Sequence, residues 1–483
     1  MRYFKLLLCA IFCFSFVVLM EGKEVKGNRL KTKSFNDQRA KKNVTVIDDE
    51  VIIKFKTGVA ESKIDKMHKR LKVRTVKKFA IRKIYKVKIS TTATVEDIIE
   101  SYKNDPDVQF AEPNFTCKTF NVTPNDNLSG EQWPIYKIEL NRAWDIEKGQ
   151  TNPVTVAVID TGIDKNHEDL KDNVISGYDF VNEDNDAMDD NGHGTEVAGI
   201  IGASGNNGKG IAGINWYCKL MPVKVMDSAG VGTYYDLYQG IMYAADNNAK
   251  VINLSVGGYG YSELLQEAIN YAVNRGCIIV SAVGDDNTDS LTYPAGLTNV
   301  IGVASLTKGN EMAYESNYNN SILLFAPGVS VYSTSLNNNY RYCTGSSFAT
   351  AHVSGVISLL LSASQQTSSF SEIKQILINN ADYIKPDKRK GSFGYGCINP
   401  YRILTSVKGI VNIDIAVVNV EIIPERPVIG QTTKVRAAIQ NQSNISSEPT
   451  SVKLTIEGKV INNISIPALA PNQIIVKEFN WKP

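Results

Sequence analysis

Apolar and polar positions fall into three successive regimes along the chain. The first begins with a strand-like run at Val51–Phe55. A helical pattern over Glu61–Leu71, a second strand-like run at Ile81–Ile89 and a short helix near Val95–Tyr102 follow. This β-α-β-α order predicts a small α/β unit. From about Asn121 to Val407, short continuous apolar runs (Val154–Ile159, Val251–Ser255, Cys277–Ala282, Val300–Ala304) alternate with helical periods at His193–Ile201, Tyr234–Asn247, Glu263–Arg275 and Ser347–Ala363. Strands apolar at every position, separated by helices, predict an α/β domain with a mostly parallel sheet covered on both faces. After Asn412 the period changes to two, in Ile413–Ile423, Thr432–Asn441, Val452–Ile456 and Ile474–Phe479, with Pro and Asn at the turns. That alternation predicts an all-β sandwich.

The polar stretch from Lys23 to Asn43 reads as a flexible spacer. Ahead of it, Arg2 and Lys5 precede an apolar run from Leu6 to Met20, the order of an export signal. That run is short for a bilayer span; a membrane anchor or buried helix is the alternative, and no other stretch looks transmembrane. The chain has 483 residues, 43% of them apolar, enough for two to four folding units.

A net charge of +2 conceals a division. Residues 23–120 hold 24 Lys/Arg against 13 Asp/Glu, a net +11, and the part after residue 120 is net −10. A basic leader on an acidic body suggests two parts that attract each other. A nucleic-acid-binding arm is the other reading, but the lysines are interleaved with apolar positions rather than gathered in one run, so no nucleic-acid partner is expected. Cys9 and Cys13 lie in the signal-like segment, and Cys117, Cys218, Cys277, Cys343 and Cys397 remain, with no C-x-x-C spacing.

Four histidines narrow the search for a general base. His68 lies in the leader, and His193 sits between two glycines in D-D-N-G-H-G-T-E-V-A-G at a helix start, where an imidazole can face a cleft. His167 and His352 read as structural. Such a base needs a carboxylate to fix its tautomer, and Asp160, ending the apolar strand V-T-V-A-V-I-D-T-G, is the leading candidate. A nucleophile is offered by G-S-S-F-A-T-A-H-V-S-G, where Ser346 and Ser347 compete at the start of an apolar helix. Either serine could equally be an N-cap.

In the order Asp, His, Ser, these three motifs resemble the subtilisin family of serine proteases, in particular its thermitase-like branch, from about Thr123 to Arg402. The resemblance implies a secreted endopeptidase with Asp160, His193 and Ser347 as the triad, acting on proteins or peptides. D-P-D-V-Q-F-A-E-P-N-F, Asp105 to Phe115, looks like the end of such a family's propeptide, an intramolecular inhibitor removed by self-cleavage. The implied division is signal 1–22, spacer and propeptide 23–120, catalytic domain 121–408 and β-sandwich module 409–483.

By the same resemblance Ser255, Val256 and Gly257 form one edge of the substrate cleft and Gly230, Val231 and Gly232 the other. Ala282, Val283 and Gly284 wall the primary specificity pocket. The family also uses calcium. Asp126, Asp169 and Asn207, with main-chain oxygens of Ser204, Lys209 and Ile211, match one Ca2+ site, and Asp179, Asp184 and Asp186 a second, unless these are merely solvated acidic loops. Three positions depart from the pattern. Ala351 stands for a proline and Glu196 for a second histidine. Asp285 stands where the family has an asparagine that donates to the oxyanion, and an ionised carboxylate cannot donate. That last departure motivates a rival reading, a catalytically weakened binding or scaffold protein on a protease fold. Asn287 is an alternative source of the missing donor.

Overall fold

The computed structural model of the chain describes residues 16–20, 32–37, 42–90, 93–115, 122–364, 369–384, 389, 394–410, 415–456 and 459–482. Most of the signal-like segment, Cys9, Cys13 and Cys117, and residues 116–121 of the expected cleavage region lie outside these. Two compact units result, residues 23–120 and the rest of the chain.

In the leader, the 14-residue strand Lys42–Phe55 is central and pairs antiparallel with Thr32–Asp37, Ile84–Ile89 and Val108–Phe115. Val51, Ile53 and Phe55 repeat at period two and are buried with Ile64, Met67, Val87, Ile98 and Ile99 from the opposite strand and the two helices, Glu61–Arg70 and Val95–Lys103. The second helix opens on a reciprocal Thr94–Asp97 capping box. Two expectations change here. Thr32–Asp37, placed in a flexible spacer, is a strand, because Lys42–Phe55 extends well beyond its apolar half and offers an edge. Val73–Phe79 is also a strand, exposed at every position after Val73, and its lysines protect an open edge.

Seven parallel strands form the sheet of the second unit. Their spatial order is Ile322–Pro327, Val300–Leu306, Ile278–Ala282, Val251–Leu254, Thr155–Asp160, Lys219–Lys224, Tyr178–Asp179. Alternate residues enter opposite cores. Val156 and Val158 join the layer that holds helices His193–Gly202 and Ser346–Ala363, and Ala157 and Ile159 join the layer under Tyr234–Asp246 and Glu263–Asn274. Ser346–Ala363 is long and apolar enough to cross a membrane, yet it is buried in this core. Thr155–Asp160 is the first strand of the sheet in sequence, and the chain adds neighbours on both sides of it. The crevice at its carboxyl end is therefore a topological switch point.

The C-terminal strands are all antiparallel. Ile415–Ile423, Thr433–Asn441 and Ile474–Trp481 make one sheet, and Phe16–Met20, Thr450–Ile456 and Lys459–Ile466 the other. Val435, Ala437, Ile439 and Phe479 from the first sheet share a core with Val452, Leu454 and Ile466 from the second. Among the described residues Cys218, Cys277, Cys343 and Cys397 are buried free thiols.

Candidate active site

Asp160 is the last residue of its strand and is fully buried. Its Oδ1 accepts from His193 Nδ1 at 2.8 Å and from the Thr161 backbone N–H at 2.8 Å. The helix carrying His193 cannot wander. Asp189 accepts from the Gly192 and Thr195 backbone N–H groups and from the Thr161 and Thr195 hydroxyls, which fixes the first turn. Gly194 must be glycine, because a Cβ there would lie 2.1 Å from the Gly162 carbonyl oxygen. Burial alone would lower the His193 pKa, but the Asp160 charge and hydrogen bond, with Glu196 and Asp189 behind them, raise it to about 9. His167 and His352 are buried elsewhere and bonded to the carbonyls of Asn339 and Phe348.

Ser347 lies at the start of its helix, after Gly345, whose φ of 153° ends the approach of the chain. Its hydroxyl donates to the Ser255 carbonyl at 3.0 Å, and the Ser255 hydroxyl donates back to the Ser347 carbonyl at 3.0 Å. Among the described residues no hydrogen bond joins Ser347 to His193; Phe348 packs on the imidazole, ring centres 5.6 Å apart. Ser346, the other serine, is 1% exposed and turned to a different partner, Asp285.

Asp285 follows the Ile278–Ala282 strand, and its carboxylate accepts from the Ser346 backbone N–H with both oxygens at 2.9 Å and from the Ser346 hydroxyl at 2.9 Å. Burial raises its pKa, the Ser346 bonds oppose the rise, and the charges of Asp286 and Glu315 add to it. The Asn287 side-chain oxygen accepts from Arg389 at 3.0 Å.

Of the expected cleft residues, Ser255 and Gly284 bond the two serines, and Val256 packs on the core under Tyr234–Asp246 and Glu263–Asn274. Ser255 sits just past the Val251–Leu254 strand, and a Cβ at Gly257 would come within 2.7 Å of the Tyr293 carbonyl oxygen. The Gly230–Gly232 turn is held by Asp227 and carries the exposed Val231. Ala282 ends its strand, Val283 is buried with its carbonyl bonded to Thr292 and Asn317, and Gly284 donates to the Ser346 hydroxyl.

Of the two expected cation sets, the first is assembled in part. Asp126 and Asp169 are buried, Asn207 donates to Asp169, and the Ile211 N–H donates to its second oxygen. Burial raises both carboxyls, and with the Asp126 charge beside it Asp169 reaches about 6, so a cation would relieve this pair. Ser204 donates its N–H to the Asp169 carbonyl, and Lys209 its own to Asn207 Oδ1. In the second set Asp179 and Asp184 exchange both backbone hydrogen bonds, so the loop that carries the three acids folds back on itself. Asp179 caps its own turn at Val181 and Asn182, Asp184 accepts from the Asp186 N–H, and Asp186 pairs with Lys165. Among the described residues no group of three or more His, Cys, Asp or Glu side chains is placed to hold a metal.

Sequence reasoning passed over Asp189, Ser346 as the partner of Asp285, and Arg341. The run of Asp before Gly-His was the one signal available for Asp189.

All three regimes of the chain resemble known proteins. The Subtilase family profile matches residues 151–396, the Fervidolysin N-terminal prodomain profile residues 33–114 and the CARDB profile residues 413–483. The chain is similar to a thermophilic serine proteinase of Bacillus sp., 39% identical over 369 residues, covering 74% of this chain and 88% of that protein. It is also similar to thermitase of Thermoactinomyces vulgaris, 41% identical over 263 residues, covering 54% of this chain and 92% of the other. A solved protease structure from Pseudoalteromonas arctica superposes with a TM-score of 0.56 at 32% identity, covering 59% of this chain and all of that one.

Proposed function

Since the chain belongs to the subtilase family of serine proteases and carries a prodomain, we propose that it is a secreted endopeptidase in which Ser347, His193 and Asp160 hydrolyse peptide bonds through an acyl-enzyme. The observation that carries this reading is the 2.8 Å bond from His193 to the fully buried Asp160. Such a bond holds the imidazole with Nδ1 protonated and Nε2 free as base. A rotation about the Ser347 Cα–Cβ bond frees the hydroxyl from Ser255 and presents it to Nε2. His193 then takes its proton as the oxygen attacks the substrate carbonyl, and later returns that proton to the leaving amine. Water repeats the sequence in reverse to release the acid product. Substrate backbone pairs with the Ser255–Gly257 edge.

The Ser347 N–H is one donor to the oxyanion. Asp285, in the asparagine position, supplies the second only when its carboxyl is protonated. The prodomain acts as an inhibitor until the chain cuts itself between Phe115 and Asn125, and the signal-like segment directs export. Asp126, Asp169 and Asn207, with carbonyls of Ser204, Lys209 and Ile211, hold one Ca2+, whose charge compensates the two buried carboxylates. A serine-reactive fluorophosphonate tests the central claim: wild type is labelled and Ser347→Ala is not. Equal labelling of both, or of neither at any pH, favours the scaffold reading.

A further inference from the structure

One turn beyond His193, on the same helix, Glu196 is 1% exposed. Its carboxylate does not point at solvent but at the hairpin formed by Val331–Ser335 and Asn339–Cys343. Oε1 meets Arg341 Nε at 2.6 Å and Oε2 accepts from the Cys343 thiol at 3.4 Å. The hairpin is fastened to the same turn by two further bonds, from the Ser333 hydroxyl to the Glu196 carbonyl and from the Thr334 hydroxyl to the Thr195 carbonyl. Cys343 is followed directly by the segment that enters Ser347. The base and the nucleophile are thus carried by two elements joined at Glu196.

We propose that the pair of buried Glu196 with Arg341 is a positioning device for the hydrolytic reaction, holding the His193 helix against the strand that leads to Ser347 and setting how readily His193 gives up its proton. This rests on His193 being the base. Asp160 from the strand bonds the imidazole, and the charges of Glu196 from its own helix and Asp189 from the preceding loop act on it, with Arg341 and Cys343 facing Glu196 from the hairpin. Burial, together with the Glu196 charge and hydrogen bond, pushes the Cys343 thiol up to about 12, so it serves as a neutral donor. Arg341 is 64% exposed and is the only one of these groups free to be screened or removed without opening the core.

The test is a titration of the His193 imidazole by nitrogen-15 NMR in the full chain bearing Ser347→Ala, with and without Glu196→Gln or Arg341→Gln, beside kcat/KM against pH for the corresponding active enzymes. Loss of the buried anion should move the imidazole pKa down, on the order of one unit. Loss of Arg341, which leaves the anion uncompensated, should move it up, and the acid limb of kcat/KM should follow both. Shifts of opposite sign are what a merely structural role would not produce. An unchanged imidazole in Glu196→Gln, or shifts of one sign in both variants, overturns the proposal. If Glu196→Gln does not fold, an unchanged Arg341→Gln overturns it. Imidazole shifts of opposite sign with an acid limb that ignores them would support the coupling and instead remove His193 as the base.

Discussion

On the base side of the active centre, Asp160, Asp189 and Glu196 crowd around one imidazole, and a guanidinium, a thiol, hydroxyls and backbone N–H groups meet them. Across the cleft Asp285 has two acidic neighbours and, among the described residues, no ion pair; Ser346 alone bonds it. The two sides therefore ask opposite things of a proton. In the proposed mechanism His193, whose pKa the surrounding negative charge raises, must lose a proton, while Asp285, whose pKa burial and its acidic neighbours raise, must keep one.

Removing the nucleophile tests whether both sides serve one reaction. Ser347→Ala should cost about a millionfold in turnover and should leave uncleaved precursor in a purified system, read by gel mobility; normal maturation of that variant would falsify self-processing. Next in size is Asp285→Asn, which supplies a permanent donor. Turnover should rise about a hundred- to a thousandfold, most at neutral or higher pH, with KM little changed. An Asp285→Asn enzyme no faster than wild type at any pH removes Asp285 from the oxyanion site. With Asp285 as the donor Asn287→Ala should leave turnover alone, and a large loss there would shift the donor role to Asn287.

Excess chelator addresses a third buried acidic place, Asp126 with Asp169. The midpoint Tm of the mature enzyme should drop by roughly 5–10 °C as the ion is withdrawn. An unmoved Tm sinks the calcium assignment. The smallest effect is on stability against pH. The His193 pKa is raised from 6.5 to about 9, so its contribution is fully present below about 6.5 and disappears as pH climbs through 9. Asp285, also raised, acts in the same direction from its lower starting point. Tm should thus fall by about 3–4 °C between mildly acidic and alkaline pH through His193, after allowance for its partial exposure. His193→Gln should flatten that slope, and an equal slope in both proteins contradicts the charge accumulation on the base side.

Much of this was legible before any coordinates. Strands such as Thr155–Asp160 and Ile278–Ala282 are apolar on both faces because both are buried, and a continuous run announces itself. The glycines around His193 and Ser347 mark turns that a side chain would obstruct, so their motifs survive as local words. Val73–Phe79 was hidden because its lysines face solvent and carry no period. The Glu196–Arg341 pair was hidden for a different reason. Glu196 could be noticed as an odd residue in a motif, but its partner comes from a hairpin far along the chain, and no local pattern names it. The pairing of Asp179 with Asp184 was hidden in the same way, since a run of acidic residues does not say that its backbone folds into a bridge.

The seven-stranded parallel sheet has a consequence in time. Its strands pair with partners distant in sequence, Val156 with Val251 and Thr155 with Lys219, so the chain must close long loops before any of these contacts forms. Such an assembly crosses a high barrier slowly, and the same barrier stands in the way of coming apart. For a molecule surrounded by active copies of itself, each brief opening is an opportunity for cleavage. Its working lifetime is then measured by how seldom it opens, which is a property of a rate rather than of an equilibrium.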